Sequence, residues 1–343
     1  MVKRAAANNA LTFERLAERY IDEYAKPRKS SWRNDRDYLK RPREKWGERE
    51  AASISRRDVI SLLDEIKQSA PVSANRTQSV LVTLFNWAVE DELLDGNPIT
   101  RLKKRAKEKA RDRTLSDDEL RLLWRALDEA TSMSRDVGAA LQAILLTGQR
   151  PGEVAGAVQA ELRNLDDPNR AQWEIPAARM GKTSKTHVVP LAPMARELFL
   201  AAIARRKVQE DRTGVFASRF LSRKTLARHS LSRALSRSIE QLTRSDVNTE
   251  ALQSLKATPP TPHDLRRTVT TNLAALGIPR EDRLAVTAHQ PADVHGLVYD
   301  KHDRLHEKRV ALSAWERHLA RVLGKRPPKG VTMPRPWEAS HGL

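Results

Sequence analysis

Residues 101–113 read Arg101-Leu102-Lys103-Lys104-Arg105-Ala106-Lys107-Glu108-Lys109-Ala110-Arg111-Asp112-Arg113. Eight basic side chains stand against two acidic ones, and after Leu102 there is no Leu, Ile, Val or Phe. Such a run has no apolar surface with which to offset the entropy of ordering it, so it reads as an interdomain linker. Upstream, Gly96-Asn97-Pro98 is a turn signal that ends a preceding helix. Downstream, Ser116-Asp117-Asp118-Glu119 has the form of a capping box, in which Ser116 and Glu119 satisfy each other's helix-end backbone donors. A basic loop between a helix end and a helix start is a domain boundary. Eight cations in line are also better placed along phosphates than in open solvent.

The rest of the chain agrees with a division in two. Its 343 residues exceed what one ordinary core comfortably fills. Apolar residues make up 39%, enough to bury real cores. The 62 Lys+Arg against 44 Asp+Glu leave a net charge of +18, which points to a polyanionic partner, nucleic acid before any other. With no Cys, disulfides, thiolate catalysis, zinc fingers and iron–sulfur clusters are excluded. The longest apolar run, Leu198 to Ala204, is far shorter than a membrane span, and no signal-peptide pattern opens the chain. These features predict a soluble, cytoplasmic protein with no membrane partner.

Helical spacing dominates both sides of the linker. Residues 11–100 carry three stripes: Leu11, Leu16, Tyr20 and Tyr24; Val59, Leu62, Leu63 and Ile66; and Val80, Leu81, Leu84, Trp87 and Ala88. They predict a small all-helical domain. Beyond the linker, helices are expected at 116–128, 136–147, 192–209, 227–243, 262–276 and 303–323. One region breaks the pattern. Trp173-Glu174-Ile175-Pro176 and His187-Val188-Val189-Pro190-Leu191 are short β-type runs, each cut by Pro. Between them Met180-Gly181-Lys182-Thr183-Ser184-Lys185 is turn-rich and basic, so a hairpin presenting Lys182 and Lys185 is expected. The fold class is therefore mainly α with a small β-hairpin or sheet. Domain limits fall at 1–10 for a flexible N-terminus, 11–100, 101–113, 114–324, and 325–343 for a Pro- and Gly-containing mobile tail.

Several chemistries are missing from the sequence. No GxxxxGK[ST] phosphate loop, GxGxxG or HExxH occurs. His302 and His306 are four apart, but no third ligand stands at usable spacing, so a solvated helix face is the better reading than a metal site. What remains is a scattered set of cations and imidazoles. In Thr147-Gly148-Gln149-Arg150-Pro151-Gly152-Glu153 one helix ends at Gly and another begins at Pro, which places Arg150 on a tight turn, as a functional cation or as a cap partner. In Thr261-Pro262-His263-Asp264-Leu265-Arg266, His263 and Arg266 share a face of a helix's first turn, a suitable place for a phosphate. His289 follows in a Val-Thr-Ala-His turn. Tyr299 is the only tyrosine beyond the linker, the other three being Tyr20, Tyr24 and Tyr38.

Arg150 in TGQRPGEV, Lys182 in GKTSKTHVVPL, HDLR from His263 to Arg266, His289 and Tyr299 occur in the order found in tyrosine recombinases. From residue 11 to about 324 the chain resembles a phage- or genomic-island-type integrase. GKTSKTHVVPL, with the family's Lys-hairpin spacing, and YDKHDRLHEKRVALSAWERHL, with the look of its C-terminal segment, are the specific features; any one motif is weak, and six in order at compatible spacing are strong. Two departures stand out: Ala288 precedes His289 where the family usually has Gly, and ten residues rather than nine separate His289 from Tyr299. No additional amino-terminal arm-binding domain is visible ahead of the helical domain.

The resemblance implies an all-helical core-DNA-binding domain over 11–100 and an α+β catalytic domain over 114–324. It also implies a mechanism that makes sense of the residue types. Arg150 and Arg266 meet the non-bridging oxygens of a phosphodiester bidentately, as a guanidinium fork does and a Lys cannot. His263 and His289 add donors, and His263 takes or returns the nucleophile's proton. Tyr299 attacks to leave a 3′-phosphotyrosyl link, Lys182 protonates the departing 5′-oxygen, and Glu153 buttresses the Arg150 turn. No cofactor, metal or ATP is called for. Double-stranded DNA carrying recombination sites, a homo-tetramer on that DNA, and accessory DNA-bending or excision proteins are the implied partners. DNA contacts are expected from Arg101, Lys103, Lys104, Arg105, Lys107, Lys109, Arg111 and Arg113, from Lys185, and from a second basic run that includes Arg219, Arg223 and Lys224. The rival readings are a type IB topoisomerase-like DNA-relaxing enzyme and a non-catalytic DNA-binding regulator.

Overall fold

A computed structural model describes residues 11–108, 111–129, 133–180, 185–205, 214–217, 225–242, 249–289 and 304–326. The segments expected at 1–10 and, from 327 onward, in the tail lie outside these residues. The chain divides into two compact units, Met1–Arg111 and Asp112–Leu343, so the break falls within the basic run.

The first unit is helical among its described residues. Its elements are α1 (Phe13–Arg19, continued by a π-helical segment Tyr20–Ala25), α2 (Trp32–Tyr38), α3 (Lys40–Trp46), α4 (Arg56–Ser69) and α5 (Pro71–Glu90). The expected stripes line its core, with Leu11 and Tyr24 partly buried at its edge. Val59, Leu62, Leu63 and Ile66 of α4 and Val80, Leu81, Leu84, Trp87 and Ala88 of α5 are all buried, with Phe13 edge-on to Trp46 at 5.5 Å. Ser55 and Asp58 start α4 with a reciprocal capping box, and Pro71 starts α5, where its missing N–H is no loss.

The basic run is not free along its length. Asn75 on α5 accepts from the backbone N–H groups of Arg105 (2.9 Å) and Ala106 (3.1 Å) and donates to the Ala106 carbonyl (2.8 Å). Gln78 donates to the Leu102 carbonyl at 2.8 Å. Polar side chains on one helix thus strap residues 102–106 to the first unit, where apolar burial is unavailable. Two cations of the run are also engaged within the protein. Arg105 forks onto Asp64 (2.9 Å from Nε), and Arg113 is paired with the buried Glu119 (3.0 Å from Nη1) and also donates to the Thr258 carbonyl.

The second unit is built around α7. Its described helices of five residues or more are α6 (Asp117–Glu129), α7 (Arg135–Thr147), α8 (Pro151–Ala155), α9 (Pro193–Ala204), α10 (Arg228–Glu240), α11 (Thr249–Ala257), α12 (Pro262–Ala275), α13 (Arg280–Val286) and α14 (Leu305–Val322). Every residue of α7 from Val137 to Thr147 is buried, as expected for a helix that is apolar on all sides. Three antiparallel strands, β1 (Leu162–Arg163), β2 (Gln172–Ile175) and β3 (His187–Pro190), form a sheet in that order. Trp173 stands opposite Leu162 and Val189, and Ile175 opposite His187. The two expected β-runs pair as a hairpin, and β1 is an addition too short for its alternation to register in sequence. Helices α11 and α13 were likewise not expected, being only about two to two and a half turns long, whereas α8 begins at Pro151, where the turn signal places a helix start.

Helix α14 packs within its own chain. Fully buried Trp315 donates to the Leu145 carbonyl of α7 at 2.6 Å, and Lys308 to the Val188 carbonyl of β3 at 2.8 Å. Glu316 accepts two backbone N–H bonds, from Met194 and Ala195 (both 2.8 Å), and so caps the first turn of α9 from outside. No described helix is long and apolar enough to cross a membrane.

Candidate active site

The site is assembled where α7 ends. Gly148 closes α7 in the left-handed conformation (φ 66°), its N–H bonded to the Ile144 carbonyl at 2.8 Å. A side chain there would be strained by the backbone and would press on Val269 of α12 at 3.2 Å. The chain then turns through Gln149, and Arg150 sits as the N-cap of α8 with Pro151 in the first helical position.

Glu153 fixes Arg150 twice, accepting from its backbone N–H and from Nη1, both at 2.8 Å. Glu153 is 5% exposed and the Arg150 side chain 35%, so the carboxylate is sequestered while part of the guanidinium stays open. Nη2 of Arg150 reaches the Ala288 carbonyl at 3.4 Å.

Arg266 projects from α12 into the same region and is 3% exposed. Nη1 donates to the Gly148 carbonyl at 2.9 Å and Nη2 to the Thr287 carbonyl. Among the described residues it has no carboxylate ion pair. Burial, with Arg150 nearby, pushes its guanidinium down to about 10, opposed by Glu153, so it is still charged at neutral pH. A buried cation without a counterion costs several kcal/mol, and two neighbouring ones cost more, unless an anion is brought to them.

His263 lies in the first turn of α12, which a Thr261–Asp264 capping box starts (2.8 Å from the Thr261 N–H to the Asp264 carboxylate). Burial first, then Arg266 and Arg267, holds its imidazole below the usual histidine range, with Asp264 opposing. His289 is also held low, by burial, Arg266, Arg150 and His263 in that order. The Thr287 hydroxyl lies 2.8 Å from the Arg283 carbonyl and 2.7 Å from His289 Nδ1, which leaves Nε2 as the nitrogen available to a ligand.

Arg150, Arg266, His263 and His289 are therefore gathered by three elements and one turn. Lys182, Tyr299, Lys109, Arg219, Arg223 and Lys224 lie outside the described residues. Lys185 is described and exposed, as are Arg101, Lys103, Lys104, Lys107 and Arg111.

Three contributors were given no role by the sequence reading, although each lies within a stretch quoted above. Thr287 belongs to the turn at 286–289, and Gln149 and His187 reach its Val286 carbonyl. His187 is the most informative. It is 8% exposed, and its Nε2 lies 3.2 Å from the Val286 carbonyl. Burial, then Lys308, Arg266 and Arg150, push its imidazole down to about 3, against the pull of that carbonyl. A histidine inside an apolar β-run was the available signal.

Burial of His187 makes stability depend on pH. Its folded pKa is depressed, so the stability linked to its neutral form is complete above the ordinary value of 6.5 and is lost as pH falls toward about 3. By pH 5 the loss amounts to about 2 kcal/mol. Thermal melts should therefore fall more steeply between pH 7.5 and 5 for the wild type than for His187→Gln. Parallel curves would count against burial of a neutral imidazole.

Ala288 has a φ of 47°, in the left-handed region. This is the position where the resembled family usually has Gly. Ala288→Gly is expected to stabilise the fold by about 0.5–1 kcal/mol, the left-handed strain less the entropy of glycine, seen as a higher melting temperature. A lower one would count against strain at this residue.

Known proteins share this architecture. Residues 113–291 match the phage integrase family, and residues 13–105 match the phage integrase central domain. Prophage integrase IntZ of Escherichia coli (strain K12) is 26% identical over 329 residues, which span 93% of this chain and 73% of that protein. Lambda integrase, solved as a dimer bound to a COC′ core site, has a TM-score of 0.62 at 18% identity, covering 85% of this chain and 98% of that one. The lambda integrase tetramer bound to a Holliday junction gives 0.64 at 18% identity, covering 85% and 82%. Tn1549 transposon integrase in complex with a circular intermediate DNA gives 0.61 at 16% identity, covering 85% and 95%. The fold, helical units with a small three-stranded sheet, is that of the integrase class. The chain belongs to the phage integrase family. It is a site-specific tyrosine recombinase.

Proposed function

We propose that Arg150 and Arg266 hold the two non-bridging oxygens of a scissile DNA phosphate while Tyr299 attacks it. The observation that carries this reading is Arg266, a buried guanidinium with no ion pair among the described residues, set beside a half-open Arg150. Their mutual repulsion is relieved by a bound phosphate, and relieved further as charge grows on its oxygens in the transition state.

The step balances without a cofactor. The Tyr299 oxygen forms a bond to phosphorus, its proton passes to His263, and the 5′-oxygen leaves with a proton from Lys182. The 3′-phosphotyrosyl link conserves the energy of the broken diester, so a 5′-hydroxyl from another duplex reverses the attack. A neutral His263 is the state needed to accept the proton, and the cations around it favour that state. His289 supplies a further hydrogen bond through Nε2.

The substrate is duplex DNA carrying recombination sites, and the reaction integrates or excises a mobile element in the cytoplasm. The active assembly is a tetramer on two sites, as the lambda integrase tetramer on a Holliday junction suggests, with accessory DNA-bending or excision proteins acting on the same DNA. The exposed cations at 101, 103, 104, 107, 111 and 185, with Lys109, Arg219, Arg223 and Lys224, contact backbone phosphates.

The test is covalent trapping. Protein is incubated in EDTA with nicked duplexes made from the DNA flanking its own element, then denatured. A protein–DNA adduct whose nucleotide remnant maps to Tyr299 is the expected product. Adduct at another residue, or none with any end sequence that binds tightly, would overturn the reading.

A further inference from the structure

We propose that His187 and Gln149 are positioning residues which jointly clamp the Val286 carbonyl, and that this clamp sets the turn through which the phosphate ligands are held. The inference rests on the reading of Arg150, Arg266 and His289 as those ligands.

Three successive carbonyls of one short segment are gripped from different parts of the fold. The Val286 carbonyl accepts from Gln149 Nε2 at 2.8 Å and lies 3.2 Å from His187 Nε2. The Thr287 carbonyl accepts from Arg266, and the Ala288 carbonyl from Arg150 at 3.4 Å. The next residue is His289, oriented by the Thr287 hydroxyl. Movement at Val286 therefore propagates directly to an acceptor of Arg266, an acceptor of Arg150 and the ring of His289. A carbonyl offers two lone pairs, and at Val286 both are met by side chains, one from the turn after α7 and one from β3.

Both side chains are poor choices as mere filling. Gln149 is fully buried, and among the described residues its own Oε1 has no hydrogen-bond partner, so an acceptor is left unmet there. An apolar residue of similar volume would avoid that loss, and only the donation from Nε2, to Val286 and to the Thr147 carbonyl, argues for an amide. His187 sits among Lys308, Arg266 and Arg150, which oppose any positive charge on it. A leucine or valine would suit that field better. The imidazole supplies what they lack, one N–H aimed at the Val286 carbonyl. Displacing a catalytic group by about 1 Å can lower a rate by about 100-fold, so a clamp immediately preceding the two ligand acceptors, Thr287 and Ala288, is a sensitive place.

The test uses the full chain in the adduct assay, as single-turnover rates on the nicked duplex, with DNA affinity and melting temperature measured alongside. His187→Leu and Gln149→Leu are each expected to slow adduct formation by about 30-fold while changing DNA affinity by no more than about twofold, a split between chemistry and binding that loss of folding would not produce. His187→Gln restores an N–H donor and should recover to within about fivefold of wild type. Because both residues act on one carbonyl, the double Leu variant should fall short of the product of the single losses. Wild-type rates for both Leu variants, or a Gln variant as slow as His187→Leu, would overturn the clamp. If His187→Leu does not fold, Gln149→Leu and His187→Gln decide alone. Arg266→Lys runs in parallel: if it cuts normally, the reading of the phosphate site fails, whereas its loss beside unimpaired Leu variants sinks only the clamp.

Discussion

Tyr299→Phe is expected to bind its recombination site with an affinity within about twofold of wild type and to form no covalent adduct at all, since the only atom removed is the attacking one. The phenyl ring is kept, so packing changes little. The remaining tyrosines, Tyr20, Tyr24 and Tyr38, all belong to the first unit. Of these, Tyr20 is buried in the core of the first unit, its hydroxyl 2.8 Å from Asp35, and burial drives its phenol far above the usual range. That is the opposite of an activated nucleophile. A regulator that only bound DNA would give no adduct even as wild type. A type IB topoisomerase would give the adduct but would also relax supercoils without paired sites. Retained strand joining by the Phe variant would remove Tyr299 from the mechanism.

Arg266→Lys should lower the adduct-forming rate by about 100- to 1,000-fold, the loss typical when a donor to a developing oxyanion is removed. The reason lies in what the guanidinium does at once. It donates to the Gly148 carbonyl at the end of α7 and to the Thr287 carbonyl in the His289 turn, and it carries charge toward the site. An ammonium is a point charge on a flexible stem and cannot hold those two directions together with a phosphate oxygen. At least one buried carbonyl then goes unpaired, which adds a penalty to the fold of about 1–3 kcal/mol. Arg150→Lys is expected to lose most activity as well, although Glu153 would still anchor the ammonium. Single-turnover rates with binding measured in parallel read both effects. Arg266→Lys cutting within tenfold of wild type would show that the bidentate fork is dispensable.

Much of this site is legible in the order of residues. The TGQRPGE turn, with Gly ending one helix and Pro beginning the next, specifies a tight corner, and Arg150 with Glu153 stands on that corner. The TPHDLR run announces a helix start, and its Thr261–Asp264 box forms as the spacing requires. Gln149, Thr287 and His187 are not legible, because each acts by donating to or accepting from a neighbour more than 90 residues away or through a backbone carbonyl. Hydrogen bonds to carbonyls leave no residue-type signature at the receiving end. The linker shows the same limit in reverse. Composition makes residues 101–113 look uniformly available to phosphate, yet Asn75, Gln78, Asp64 and Glu119 engage particular atoms of it.

Local choices are thus written in the chain itself: where helices begin and end, which faces are apolar, that the chain divides at a basic run, and which cations and imidazoles recur in the order of an integrase. These depend on neighbours three or four residues apart, and periodicity, capping and turn chemistry record them directly. Packing alone settles that Arg266 is buried without a carboxylate partner among the described residues, that Arg105 and Arg113 are engaged within the protein, and that three consecutive carbonyls at 286–288 knit four elements into one site. The reason is physical. Whether a charge meets solvent, a carboxylate or a substrate depends on how distant segments pack, and desolvation sets its energy only once that packing exists.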